Sequence, residues 1–245
     1  ATAIILQDRL GLPQTTIAFD INLGCSGYPF GIYTVGNMLR QGGLRKALLL
    51  VGDRSGSLGD PLFGDCGTAT ALEFDPTAPP MWFDLNSDGS GYKAILLPAG
   101  GHRKPIEFHH LIPQKGDDGE MKREVDLILD GAAVLTFSTQ RVPPSIRDLC
   151  AFADVSLDNI DYLVMHQANR MINETIRKKL GLTPEKVPST LEDFGNTSSA
   201  SIPITLTTRI AEALASGRNR LLLAGFGVGL SWGNCILDIE KGAFP

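Results

Sequence analysis

The chain has no run of about 18 apolar residues, the length a helix needs to cross a bilayer, so no membrane span is expected. It has no basic-then-apolar start leading to a small-residue cleavage site, so no secretory signal is visible. Positive charge is not in excess: 22 Lys and Arg stand against 27 Asp and Glu, a net charge of −5. That balance argues against general nucleic-acid binding. Cysteine is scarce, and Cys25, Cys66, Cys150 and Cys235 form no C-x-x-C pair. A zinc ribbon or thioredoxin-like motif is therefore excluded. Four scattered thiols in 245 residues fit a reduced, cytoplasmic protein. Each thiol also fits the plain role of a small buried residue. His102 and the pair His109-His110 lack Cys or carboxylate neighbours at ligand spacing, so no metal is expected.

What remains is ordinary globular composition, 43% hydrophobic and 20% charged. The length suits one large domain or two fused halves, and the pattern of elements repeats. Residues 3–10 carry apolar positions at helical spacing, with Gly11 as a stop. A short strand over 16–20, a polar glycine turn and a helix over 25–39 follow. Gln41-Gly42-Gly43 ends that helix. The run over 46–52 reads as a buried strand, and 67–74 as another. The second stretch has the same order. A helix over 169–180 is capped by Gly181, a strand is possible over 187–192, and a helix runs over 194–215. Strands follow over 220–224 and 231–239. Alternating strands and helices imply parallel sheets with helices on their faces.

The chain thus divides into a first half, 1–140, carrying inserted loops over 75–125, and a second half, 141–245. In the second half a helix over 144–153 and a strand over 160–165 precede the capped helix. The first half shows no counterpart, so a segment with at least one strand and one helix is expected to be missing from its start.

Four places carry candidate chemistry. Cys25 follows a tight glycine turn and opens a helix, where the macrodipole lowers a thiol pKa; packing alone would also explain it. His166 ends an apolar strand, at the sheet edge where α/β folds bind ligands, and a structural histidine fits there equally. Asn196, in Gly195-Asn196-Thr197-Ser198, is a natural helix N-cap. By the repeat it also occupies the position equivalent to Cys25. If the halves are related by approximate two-fold symmetry, both helix starts face one shared site. Finally, Phe226-Gly227-Val228-Gly229 follows a buried strand without Rossmann spacing. Its backbone N–H groups suit an oxyanion hole.

Together these segments resemble the thiolase-fold condensing enzymes, and most closely the β-ketoacyl-acyl-carrier-protein synthase III family. The segment Gly64-Asp65-x-Gly67-x-Ala69 also matches. The resemblance implies an α/β, thiolase-like fold of two duplicated halves in α-β-α-β-α layers, the first half incomplete. It implies an acyltransferase that condenses an acyl-CoA primer with a malonyl thioester on acyl carrier protein, in fatty-acid biosynthesis. Cys25 would be the nucleophile, with His166 and Asn196 as its catalytic partners. The backbone N–H groups of Cys25 and Val228 would form the oxyanion hole. Phe226, Gly227, Gly229 and Arg170 would line the substrate path. No cofactor is implied beyond coenzyme A as part of the substrate. A cytoplasmic homodimer is implied. Asn196 stands where synthases of types I and II carry a second histidine, and the glycine loop lacks the second cysteine of thiolases. Relatives usually carry the basic residue one position after Arg170, and Val228 in the middle of the glycine loop also departs from the family pattern. The alternatives are a related enzyme that passes the acyl group to oxygen or nitrogen, or a non-catalytic acyl-binding or dimerising fragment.

Overall fold

The computed structural model describes residues 1–54, 61–116, 119, 121–240 and 242. Part of the 75–125 loop expectation, at 117, 118 and 120, lies outside the described residues. Helix α1 (Thr2–Arg9) buries none of its residues, and Ile4 and Ile5 are exposed. Its first N–H groups, from Thr2 and Ala3, donate to the Asp20 carboxylate at 2.6 and 2.7 Å. These bonds lower the Asp20 pKa. The strand expected over 16–20 is not formed. A strand needs a partner to take its N–H and C=O groups, and among the described residues none pairs with this segment. Asp20 caps α1 instead.

Helix α2 (Gly27–Arg40) buries Tyr28, Gly31, Ile32 and Leu39. It lies on strand β1 (Lys46–Arg54), which pairs antiparallel with β2 (Asp65–Glu73). The apolar run in β1 reads as buried on both faces, yet burial alternates along it. Leu49 is buried while Leu48 and Leu50 are exposed. The ribbon has two strands and packs inward on one face only.

The segment over 75–125 is less irregular than its prolines and glycines suggest. Strand β3 (Trp82–Ser87) belongs to the central sheet. Beyond it, β4 (Ile95–Leu96) pairs with β7 (Ile128–Leu129), and β5 (Gln114–Lys115) with β6 (Met121–Lys122). His110 is buried, and its Nδ1 accepts from the Glu107 N–H at 2.9 Å.

Helix α3 (Gly131–Phe152) begins well before the expected 144, because Pro143 and Pro144 hide its first three turns in the sequence. A proline at 143 cannot donate to the Thr139 carbonyl one turn back. Lys179 Nζ donates to that carbonyl at 2.9 Å and fills the gap. Then come β8 (Tyr162–Met165), α4 (Arg170–Leu180) and the short α5 (Leu191–Phe194). The strand expected over 187–192 is absent. The Gln167 side chain takes its bonding instead, accepting from Thr190 N–H at 3.1 Å and Ser189 Oγ at 3.0 Å. The single helix expected over 194–215 is broken into a 3₁₀ turn (Ser198–Ala200), α6 (Ser201–Arg209) and α7 (Ala211–Ser216).

Strands β9 (Asn219–Gly227) and β10 (Ser231–Ile239) complete the central sheet, in the order β3-β10-β9-β8. Only β8 and β9 are parallel; the other neighbours are antiparallel. The expected all-parallel sheet fails because a three-residue turn joins β9 to β10, too short for a crossover. The centre of the sheet is buried on both faces. Leu163, Met165, Leu222, Ala224 and Phe226 face α3 and α4. Val164, Leu221 and Leu223 face α2 and α6. This two-residue alternation is the strand period. It anchors both faces to one rigid layer whose strand ends lie together. Leu163→Ala, at a position with no exposure, is expected to cost about 2–5 kcal/mol, read as a lower denaturant midpoint.

Candidate active site

Cys25 sits in a turn closed by the Gly27 N–H donating to the Gly24 carbonyl at 2.7 Å. Ser26 is the N-cap of α2, so the sulfur lies at the positive end of the helix. The loop between β9 and β10 packs directly over it. A side chain on Gly227 would put its Cβ 2.7 Å from both Cys25 Cβ and Sγ. Gly227 also has φ +155°, which L side chains rarely adopt. The loop is pinned by two hydroxyls. Ser231 Oγ donates to the Val228 carbonyl at 2.8 Å and accepts from Ser26 Oγ at 2.7 Å. Gly229 precedes a cis peptide to Leu230.

His166 follows directly on β8. Its N–H donates to the Ala224 carbonyl at 2.8 Å, extending the pairing with β9. Its carbonyl accepts from Asn173 Nδ2 at 3.0 Å. The ring is buried, edge-on to Phe226 with centroids 5.5 Å apart. Nδ1 lies 2.8 Å from Ser201 Oγ and 3.2 Å from the Ser198 carbonyl oxygen. Nδ1 is thereby occupied, and the ring meets Cys25 through its other nitrogen.

Asn196 is buried and held through its backbone. Its N–H donates to the Leu62 carbonyl at 2.8 Å, and its carbonyl accepts from the Gly64 N–H at 3.0 Å. Gly195 is required beside it, because a Cβ there would lie 2.5 Å from the Leu62 carbonyl oxygen. Asn196 Oδ1 accepts from the Ser198 N–H at 2.9 Å. The amide nitrogen keeps only a long contact to the Ala168 carbonyl, 3.4 Å.

Ser198 joins all three groups. Its N–H holds Asn196, its carbonyl faces His166, and its side chain bonds Cys25. It does so from φ +52°, a left-handed conformation uncommon outside glycine. Next to it, Ser199 Oγ donates to Asp53 Oδ2 at 2.7 Å, tying this turn to β1. Burial by itself pushes the Cys25 thiol up. The charge and hydrogen bond of His166, with bonds from the Val228 N–H and Ser198, overcome it and bring the pKa down to about 7. Burial raises the other three thiols, Cys66, Cys150 and Cys235.

The sequence-derived residues therefore do not all gather in one place. Cys25, His166, Phe226, Gly227 and Val228 meet around the sulfur, and Asn196 reaches the group through Ser198. Arg170 stands apart, exposed and ion-paired with Glu192. It lines a surface cleft of about 520 Å³ with Asn173, Ser189 and Arg209. Sequence reasoning missed Ser198, Ser201, Ser231 and Asp53. Nothing in a serine-rich turn distinguishes a hydroxyl that caps a helix from one that orients an imidazole.

Comparisons with known proteins identify the family. Residues 19–89 match the family described as 3-oxoacyl-[acyl-carrier-protein] synthase III, and residues 150–239 match its C-terminal part. The β-ketoacyl-[acyl-carrier-protein] synthase III of Trichodesmium erythraeum is 33% identical over 244 residues, covering 97% of this chain and 72% of that protein. That of Thermosynechococcus vestitus is 34% identical over 239 residues, covering 95% and 70%. The crystal structure of 3-oxoacyl-(acyl-carrier protein) synthase from Burkholderia xenovorans superposes with a TM-score of 0.91 at 35% identity, covering all of this chain and 70% of that one. Xanthomonas campestris OleA, 18–20% identical, shares the fold. Two successive family segments and a superposition over the whole of this chain at this identity mean that the chain belongs to the 3-oxoacyl-[acyl-carrier-protein] synthase III family, thiolase-fold condensing acyltransferases.

Proposed function

We propose that this chain condenses an acyl-CoA primer with malonyl-acyl carrier protein through an acyl intermediate on Cys25. The observation that carries this reading is the Cys25 sulfur bonded to His166, Val228 N–H and Ser198 at a helix start, with its pKa near 7. A thiolate is the reactive form of cysteine, and these contacts favour it over the thiol.

In the first half-reaction the sulfur attacks the thioester carbonyl of acyl-CoA, and His166 Nε2 takes the thiol proton. The backbone N–H groups of Cys25 and Val228 stabilise the oxyanion. The carbon–sulfur bond to coenzyme A breaks, the proton passes to the departing sulfur, and acyl-Cys25 remains. In the second, His166 Nε2–H and Asn196 Nδ2 donate to the malonyl thioester carbonyl. Carbon dioxide leaves, and the electron pair of its broken bond is held as an enolate. That carbon attacks acyl-Cys25, forming the 3-oxoacyl thioester and freeing the thiolate. The scheme uses no metal or cofactor.

The carrier protein, acidic in its chemistry, docks in this reading on the outward face of α4 through Lys178 and through Arg170, whose exposed pairing with Glu192 is exchanged for the carrier's carboxylates. Arg177 is paired with Glu174, and Lys179 is committed to the Thr139 carbonyl. In this reading the protein is cytoplasmic, in keeping with its four free thiols, and a homodimer, in keeping with the apolar outer face of β1 at Leu48 and Leu50.

Incubation with acyl-CoA is expected to add one acyl mass to Cys25 in the intact protein, and Cys25→Ser to abolish it; a wild-type protein that gains no adduct overturns the reading. Loss of one donor to a developing oxyanion costs roughly 100-fold or more in rate. Asn196→Ala should therefore cut malonyl-dependent condensation by about that factor while leaving the acyl-Cys25 adduct. Gly227→Ala should block acylation, because its Cβ takes the space beside the sulfur. Alkylation of Cys25 by iodoacetamide should rise with pH through a midpoint near 7. His166→Gln removes the main influence lowering that pKa, so the midpoint should move upward; a rise of about one unit leaves roughly a tenth of the thiol ionised at pH 7 and slows alkylation there about fivefold.

A further inference from the structure

The last step of the proposed reaction needs a donor that the other steps leave over. The enolate carbon has attacked acyl-Cys25, and the tetrahedral intermediate must break its carbon–sulfur bond. Its oxyanion occupies the backbone N–H groups of Cys25 and Val228. The thioester carbonyl of the incoming unit occupies His166 Nε2 and Asn196 Nδ2. The sulfur has to leave with an electron pair, and none of these groups is open to it.

Ser198 faces that sulfur. Its side chain bonds Cys25 in the sense that favours the charged form, so the hydroxyl donates. Its Oγ lies 3.5 Å from the place a Cβ on Gly24 would take, in the gap between the nucleophile turn and Val228. Its backbone groups are committed elsewhere. The N–H donates to Asn196 Oδ1 at 2.9 Å, and the carbonyl accepts from Ser201 Oγ at 2.7 Å. The backbone conformation points the same way. At φ +52° a glycine is at ease and a side chain is not. Glycine would also keep both backbone contacts. What serine adds at this strained position is the hydroxyl.

We infer that the Ser198 hydroxyl is a catalytic group that stabilises Cys25 as the leaving thiolate of condensation. As the intermediate collapses, the oxyanion pair re-forms the C=O bond, the C–S bond breaks, and the sulfur keeps the pair of that bond. The hydroxyl donates a hydrogen bond to the sulfur and retains its own proton. The overall reaction takes up one proton, which reaches the freed thiolate from water, Cys25 being only half-buried. Without this donor the intermediate reverts more often than it collapses. The new C–C bond then breaks, and the enolate takes a proton from water and leaves as acetyl-carrier protein. The inference rests on the reaction proposed above.

The test gives malonyl-acyl carrier protein to the acyl-Cys25 forms of wild type, Ser198→Ala and Ser198→Gly. Carbon dioxide, 3-oxoacyl-carrier protein and acetyl-carrier protein are measured together. Both variants are expected to acylate, since His166 and the Val228 N–H still hold the thiolate. Both are expected to decarboxylate. The 3-oxoacyl product per carbon dioxide should fall at least about tenfold, the scale of one hydrogen bond to a charged group, with acetyl-carrier protein making up the difference. The iodoacetamide midpoint of Cys25 should rise in both. Product that keeps step with carbon dioxide overturns the inference. So does a parallel loss of both, which marks the turn as a support for Asn196 and His166 alone. A folded variant that cannot be acylated overturns it too, because the hydroxyl would then serve the nucleophile instead. Ser198→Gly suits φ +52°, so it decides the matter where Ser198→Ala does not fold. A wild type that forms no acyl-Cys25 overturns the reaction itself, a distinct result.

Discussion

Everything in the site turns on the backbone of Ser198. One residue gives its N–H to Asn196 Oδ1, turns its carbonyl to His166 Nδ1, and bonds Cys25 through its side chain. Such a threefold grip needs the N–H and C=O to point to different neighbours within one turn. The left-handed conformation at φ +52° provides that. Residues in sparsely populated backbone regions cost of order 1–3 kcal/mol and persist only where their surroundings over-determine them. Here the surroundings are specific. The Asn196 backbone is fixed to Leu62 and Gly64, and Ser199 is fixed to Asp53. The carboxamide, the imidazole and the thiol thus share a single reference point, although they arise from parts of the chain far apart in sequence.

The sheet explains why those parts arrive at one end. β8 and β9 run parallel and are buried on both faces, so their ends are set by two independent cores. His166 continues β8 by one more bond to Ala224, and the glycine loop continues β9 past Phe226. A slip of one residue would exchange the two faces of either strand, placing Val164 where Met165 belongs and turning Phe226 away from the imidazole. Register is thereby enforced by side chains remote from the chemistry. The edge-on contact of Phe226 with His166 is the point where core packing and site geometry become the same interaction.

How much of this was legible in the sequence follows from the range of each signal. The buried strands β8 and β9, the capped helix α4 with Gly181 in its left-handed stop, and the glycine loop all announce themselves in adjacent residues. The segment over 16–20 reads as a strand by composition, but a strand is a relation between two segments; among the described residues none pairs with it, and only its Asp20 side chain is engaged, capping α1. The segment over 187–192 fails likewise, since one distant side chain, Gln167, takes over its N–H. Helix α3 was foreshortened because Pro143 is a helix breaker until Lys179 supplies the missing donor from another helix. The orders of Cys25, His166 and Asn196 could be matched to a family. The serines that orient them could not, because their role is set by which acceptor lies within 3 Å in the folded chain. Arg170 looked like a substrate contact by position, and its pairing with Glu192 is invisible to any local pattern.

Valine at 228 shows how the oxyanion loop and the nucleophile turn limit one another. The function asked of this position is a backbone N–H, which any residue except proline supplies, so valine meets it. Space is the constraint. A Cβ on Gly24 would lie 2.6 Å from Val228 Cγ1, and one on Gly227 would strike the sulfur. The branched side chain is therefore accommodated because its neighbour across the gap, one residue before Cys25, has none. The two segments close on each other by steric fit, while Ser26 and Ser231 fix the distance through their hydroxyl bond. A loop held this way keeps the Val228 N–H on the sulfur before any substrate arrives, so the donor that steadies the thiolate is already in place for the oxyanion that replaces it.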